Sequence, residues 1–334
     1  MPGPKGRRAL VWLASAGILI AVLYFGIPRL AGLNDTWRRI ENGSPAWLGI
    51  AVALEAVSYV GYAWTVASFS SAAGIVLGLR RSTEITLAAT AATRLLAAGG
   101  AGGVALTTWA LARAGHGAAG AARQVSAHVV TTYGAFMVIV ISVGTGMALA
   151  GEPPALTALP AVIALLLTIV FLVAIQAPDA IARRLDPGSG WRHRVLSLPR
   201  ALSDGTQFSI ELLRRREPGL LGVAMWWIFD IATLWACFEA FGGHPPIAEL
   251  TMAYALGMLG NLLPLPGGVG GVEGGMVGAF AAFDVDASTA LVAVLAYRAI
   301  SVWLPALPGV VALATLRRGD ERDLLSDDED DEDA

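Results

Sequence analysis

One acid and one base stand out inside an apolar sequence. Glu273 closes the run Asn261-Leu-Leu-Pro264-Leu-Pro266-Gly267-Gly268-Val269-Gly270-x-x-Glu273, and Arg298 lies between Tyr297 and Ala299 in the next apolar stretch. Ionised side chains at membrane depth are rare, costly and usually paired. The two are therefore expected to meet. Arg298 would hold a phosphate-like anion, and Glu273 would exchange a proton or release Arg298. The same pair could also be a salt bridge that only locks two elements together.

The residues before Glu273 shape the place where an anion could sit. Pro264 and Pro266 cannot continue a helix and remove backbone donors. Gly267, Gly268 and Gly270 permit positive φ and close backbone approach. A helix resuming near Val269 would turn free N–H groups and its positive dipole end toward the break. Glu273 would then fall in its first turn, where a carboxylate is favoured. A related phrase occurs earlier: residues 99–104 read Gly-Gly-Ala-Gly-Gly-Val and residues 267–272 read Gly-Gly-Val-Gly-Gly-Val. Arg94 precedes the first phrase, and Ala105 aligns with Glu273, so the first copy lacks the acid. The candidate substrate-binding set is Arg94, Asn261, Pro264, Pro266, Gly267, Gly268, Gly270, Glu273 and Arg298. Glu55, Asp230 and Glu273 are candidates for proton or ion coupling. Glu55 and Asp230 fall in corresponding apolar spans of the two halves. Arg113 and Arg123 either draw an anionic headgroup or anchor the chain. His128 is expected to bond between helices, Glu239 to reach an interface, and Cys237, the single cysteine, to be a small core residue.

These groups are carried by a chain of 334 residues that is 55% hydrophobic and 15% charged, with a mean hydropathy of +0.62. Soluble domains carry roughly 25% charged residues, so the composition points to an integral membrane protein. Apolar spans are expected at about 9–27, 45–69, 124–150, 154–176, 218–242 and 288–316, each near or above the ~20 residues that cross a bilayer. Regions 85–112 and 247–283 are broken by glycine. The formal net charge is −3, yet the segment Gly319–Ala334 holds ten acidic residues and one arginine, so the rest of the chain is basic. That acidic segment reads as a disordered, solvated tail.

Lys and Arg in short loops mark the cytoplasmic side. Arg183, Arg184, Arg192, Arg194, Arg200, Arg214, Arg215 and Arg216 make 178–217 the strongest inside anchor, an Arg-rich cytoplasmic loop. Lys5, Arg7 and Arg8 at one end and Arg317, Arg318 and Arg322 at the other place both termini in the cytoplasm, although Arg29, Arg38 and Arg39 run against the rule. With these sides, region 85–112 begins and ends inside and region 247–283 begins and ends outside. Each is expected to be a re-entrant hairpin. The fold class is an all-α polytopic membrane protein of about six full transmembrane helices plus two re-entrant hairpins in an inverted repeat. Residues 1–318 form one membrane domain, with repeat units at about 9–150 and 154–316.

Asn261-Leu-Leu-Pro264-Leu-Pro266-Gly267-Gly268-Val269-Gly270-x-x-Glu273, with Tyr297-Arg298, Trp303-Leu-Pro305 and Pro308-Gly309, resembles the lysylphosphatidylglycerol synthase transmembrane, or flippase-like, family. The resemblance covers nearly the whole chain and is most specific over 257–309. It implies a lipid-translocating membrane domain, with Pro266, Gly267, Gly268, Gly270, Glu273 and Arg298 as the motif. The chain has no room for the aminoacyl-transferase domain found in some members, so lipid aminoacylation is not expected.

The leading expectation is a flippase or transporter in the plasma membrane that moves an anionic or lipid-linked headgroup between leaflets. A membrane enzyme acting on a lipid headgroup or polyprenyl phosphate, and a non-catalytic envelope-synthesis scaffold, are the other two. The partner is a membrane phospholipid or polyprenyl-linked lipid, with a second copy of the chain or an envelope-synthesis protein as candidate protein partners. No nucleic acid, metal or other cofactor is expected. Gly100-Ala-Gly102-Gly103-Val-Ala105 fits a dinucleotide-binding pattern but has no strand-helix unit around it, and the four histidines are scattered.

Overall fold

The computed structural model describes residues 43–95, 101–175, 190–262 and 268–316, with the backbone alone at 95, 190–199 and 262. Every regular element among them is helical. The expected span at 9–27, the acidic tail, and Pro264, Pro266 and Gly267 lie outside the described residues.

Two helices form the centre. α1 spans Pro45–Ala72 and α7 spans Gly219–Ala240. They run antiparallel along their whole length. Ser44 N–H donates to Ala240 O at 2.9 Å at one end, and Thr65 Oγ1 donates to Gly219 O at 3.1 Å at the other. Glycine allows the approach. A Cβ on Gly222 would overlap Gly61 O, and one on Gly61 would lie 2.8 Å from Gly222 O. Small residues at such crossings let backbones meet where lipid gives no hydrophobic drive.

Two helical hairpins flank this pair. α2 (Leu79–Leu95) packs antiparallel on α3 (Ala101–Leu111), where a Cβ on Gly103 would overlap Thr93 Oγ1. A π turn at Ala112–His116, kinked at Gly115 with φ 104°, leads into α4 (Gly117–Leu149). The second hairpin is α8 (Ile247–Met258) against α9 (Gly271–Ala282). Gly257 faces Met276 and Gly260 faces Gly271, and neither glycine has room for a Cβ. Each of these helices has 12 residues, or about 18 Å at ~1.5 Å per residue. That is well short of the ~30 Å hydrocarbon core.

α10 runs Ala287–Leu316 with a π turn at Ala299–Trp303. Asp286 caps it by accepting from Thr289 N–H at 2.9 Å. Pro305 has no N–H for the carbonyl of Ser301 four residues back, and that carbonyl instead accepts Tyr59 OH at 3.4 Å. Beyond the turn, Gly309 lies on α2, where a Cβ would overlap Leu87 O.

Among the described residues four helices are long and apolar enough to cross a membrane: Pro45–Ala72, Ala101–Leu149, Gly219–Ala240 and Ala287–Leu316. The span expected at 154–176 is realised as α5, Ala158–Ala174, with 17 residues. The segment 178–217 differs more from expectation. Nearly two thirds of it is α6, Gly190–Arg215, with 26 residues. Phe208 and Leu212 are buried, Ser209 Oγ donates to Ala127 O at 3.1 Å, and a Cβ on Gly205 would meet Ser126 Cβ at 2.5 Å. The helix forms because an apolar stripe finds α4. The arginines at its C-terminal end, Arg214 and Arg215, stay exposed.

Candidate functional site

α9 starts where the second hairpin breaks. Gly270 takes φ 85° at its N-cap, and Gly268 takes φ 67°. Glu273 sits in the first turn, as expected, and both of its oxygens are used. Oε2 accepts the Gly270 N–H at 2.7 Å, and Oε1 accepts Nε–H of Arg298 at 2.9 Å. Arg298 is 1% exposed, among the largest fully buried side chains described. The expected pair therefore forms, and the carboxylate also caps the helix. Asn261 lies at the same break. Its Nδ2 donates to Met258 Sδ at 3.2 Å, and its Oδ1 would meet a Cβ on Gly268 at 2.5 Å.

A second polar cluster adjoins Arg298 through its neighbour Tyr297. Asp230, buried at the middle of α7, accepts Tyr297 OH at 3.0 Å on each oxygen and also accepts Tyr254 OH of α8. Glu55 of α1 is 4% exposed. Its carboxyl group lies within hydrogen-bonding reach of Asp230 and of the Thr233 hydroxyl. Its Oε2 has no hydrogen-bond partner. Arg94, in the last turn of α2, acts electrostatically on Glu55, Asp230 and Tyr59, and its buried Nε has no hydrogen-bond partner.

The structure thus brings Glu55, Asp230 and Arg94 into one cluster and Glu273, Arg298 and Gly270 into an adjoining one. Tyr254, Tyr59 and Thr233 were not foreseen. A phenol inside an apolar helix needs a hydrogen-bond partner when buried, and that was the available signal. His128 does not bond between helices. Both ring nitrogens lack a partner, and the ring packs edge-on against Tyr62 at 4.5 Å. Glu239 pairs with His244 Nδ1 at 2.9 Å near the end of α7, and Cys237 is fully buried. Among the described residues no group of three His, Cys, Asp or Glu side chains is placed to hold a metal ion.

Residues 11–309 match the family described as Lysylphosphatidylglycerol synthase TM region. The chain belongs to this family. The match takes in both hairpins, Glu273 and Arg298. The chain is also similar to two UPF0104 membrane proteins of Methanothermobacter thermautotrophicus. One is 33% identical over 125 residues, 37% of this chain and 36% of the relative. The other is 32% identical over 88 residues, 26% of each chain. The chain thus spans about a third or less of the length of each of these relatives. As a member of the lysylphosphatidylglycerol synthase transmembrane-region family, the protein is a membrane protein with several spanning helices.

Proposed function

We propose that the protein moves an anionic or lipid-linked headgroup between the leaflets of the cytoplasmic membrane, with both termini in the cytoplasm. The observation that carries this is the buried charged cluster between the two hairpins. Ionisable groups at membrane depth that face a bundle interior mark pathways for ions or substrates. Here Glu55, Asp230, Arg94, Glu273 and Arg298 are all drawn from helices that meet at one centre.

The architecture supports the same function. α1 and α7, corresponding spans of the two halves, run antiparallel, as an inverted repeat requires. Both hairpins turn back on themselves, and the helices of the second are too short to cross, which suits re-entry from one face. In this scheme Arg298 and Arg94 receive the headgroup phosphate by turns. Glu273 holds Arg298 when no anion is bound. Two carboxyl groups as close as those of Glu55 and Asp230 are best accommodated by one shared proton, so that with Arg94 the cluster is neutral. Uptake of a second proton would neutralise both acids and free Arg94 for an anion.

The test is leaflet exchange of fluorescent phospholipid and of polyprenyl phosphate by purified protein in liposomes. Exchange that stops in Asp230→Asn and Glu273→Gln proteins supports transport. Chemical turnover of the headgroup without exchange would instead favour a membrane enzyme. Neither activity, with a stably co-purifying protein, would favour a scaffold.

A further inference from the structure

A cleft of about 100 Å³ opens at the joint between α3 and α4, between Ile75 after α1 and Phe208 of α6. That is below the roughly 300–1,000 Å³ of pockets that enclose a whole ligand, so it has room for the polar end of a headgroup and not for acyl chains. His116, Arg123 and Gln124 line it.

The hydrogen bonds around it fix which atoms are unsatisfied. Gln124 is 2% exposed, and its Nε2 donates to Val66 O at 3.2 Å and Ser70 Oγ at 2.7 Å. A carbonyl can only accept, so the amide orientation is set and Oε1 is left over, buried without a partner. His116 Nδ1 lies 3.1 Å from Leu111 O and must carry its hydrogen there. In the neutral ring Nε2 is then a lone pair, also buried without a partner. The two side chains are neighbours, and two acceptors cannot satisfy one another. Arg123 stands beside them with its guanidinium 4.3 Å over the Phe208 ring and 3.5 Å from Glu211.

We propose that this cleft binds a phosphoester whose headgroup carries a hydrogen-bond donor, a hydroxyl or a primary ammonium. The phosphate meets Arg123, and the donor meets Gln124 Oε1 and His116 Nε2. This rests on the lipid-moving function above only for the source of the headgroup. A free phosphoester offers the same chemistry.

The test uses the full-length protein in phosphatidylcholine nanodiscs containing phosphatidylethanolamine or phosphatidylglycerol, with native mass spectrometry of the retained lipid. Ethanolamine and choline headgroups carry the same charges and differ in N–H donors. The protein should retain phosphatidylethanolamine and phosphatidylglycerol over phosphatidylcholine by about fivefold, the effect of one hydrogen bond of ~1 kcal/mol. Gln124→Leu should erase the preference. That change also removes the bonds to Val66 and Ser70, so His116→Phe, which leaves them intact, should weaken it independently. Displacement by soluble phosphoethanolamine would extend the site to free phosphoesters, and resistance to it would assign the site to lipid. Equal retention of all three lipids, or a preference unchanged in both variants, overturns the subsite. Loss of leaflet exchange with the preference intact counts against the transport function and not against the subsite.

Discussion

Arg298 reaches across from α10 to the first turn of α9 and donates its Nε–H to Glu273 at 2.9 Å, while the other oxygen of that carboxylate caps Gly270. One acid therefore sets the shape of the hairpin break and holds the most deeply buried cation near it. Removing either charge leaves its partner inside the protein.

Glu273→Gln and Arg298→Gln should each lower stability by roughly 3–5 kcal/mol, the usual cost of breaking a buried pair from one side. The double variant should lose less than the sum of the two. Thermal unfolding in detergent and leaflet exchange in liposomes check this together. Native stability and native exchange in both single variants would remove the pair from the site.

Gly268 and Gly270 should respond differently to a side chain. Both have positive φ, but a Cβ on Gly268 meets Asn261 Oδ1 at 2.5 Å, whereas one on Gly270 meets nothing within 4 Å. Gly270→Ala should therefore cost only the strained positive-φ backbone, about 1–3 kcal/mol. Gly268→Val should in addition displace Asn261 and abolish lipid movement with expression intact. A fully active Gly268→Val protein would show that the break does not shape the site.

The α1–α7 crossing predicts a stability effect without a direct change at the site. Gly222→Ala drives a methyl group into Gly61 O. Overpacking of this kind costs typically about 1–3 kcal/mol. Helix separation should appear as a lower unfolding temperature, and Gly222→Leu should prevent folding. An unaffected unfolding temperature in Gly222→Ala would contradict the close approach.

Asp230→Ala should be worse than Tyr254→Phe. The first strands the hydroxyls of Tyr254 and Tyr297, at about 1–3 kcal/mol for each unsatisfied group, and the second removes one partner of an acid that keeps another. Unfolding midpoints of the two variants decide the order.

Topology can be read by labelling single cysteines in a Cys237→Ala background. Asp284→Cys should react only from outside and Arg81→Cys only from inside. Reaction of Asp284→Cys from the cytoplasm would end the inverted-repeat proposal.

Much of this was legible in the sequence because apolar runs and their interruptions are long-range signals. Spans 45–69 and 218–242 became α1 and α7 within a few residues. The glycine and proline break separates α8 from α9, as expected. The rule that buried charges pair was enough to join Glu273 to Arg298 across 25 residues. Other features depend on packing. Arg214 to Arg216 made 178–217 look like a loop, and the spacing of Phe208 and Leu212 matters only once α4 is there to receive them. Tyr254 and Tyr297 are as common at membrane interfaces as in polar cores, so only the fold shows that both serve Asp230. The span count suffers from α5, whose 17 residues fall just short of the ~20 of a full crossing.

The π turn at Ala299–Trp303 has a consequence for the helix that contains it. A π turn carries about one extra residue, so everything after it is rotated by about 100° relative to an uninterrupted α-helix. Before the turn, Arg298 faces α9. After it, Gly309 faces α2. The single rod α10 is thus phased at its two ends for two different hairpins and serves as an axle between them. Deleting one residue inside the turn would put the ends out of phase without altering either contact surface.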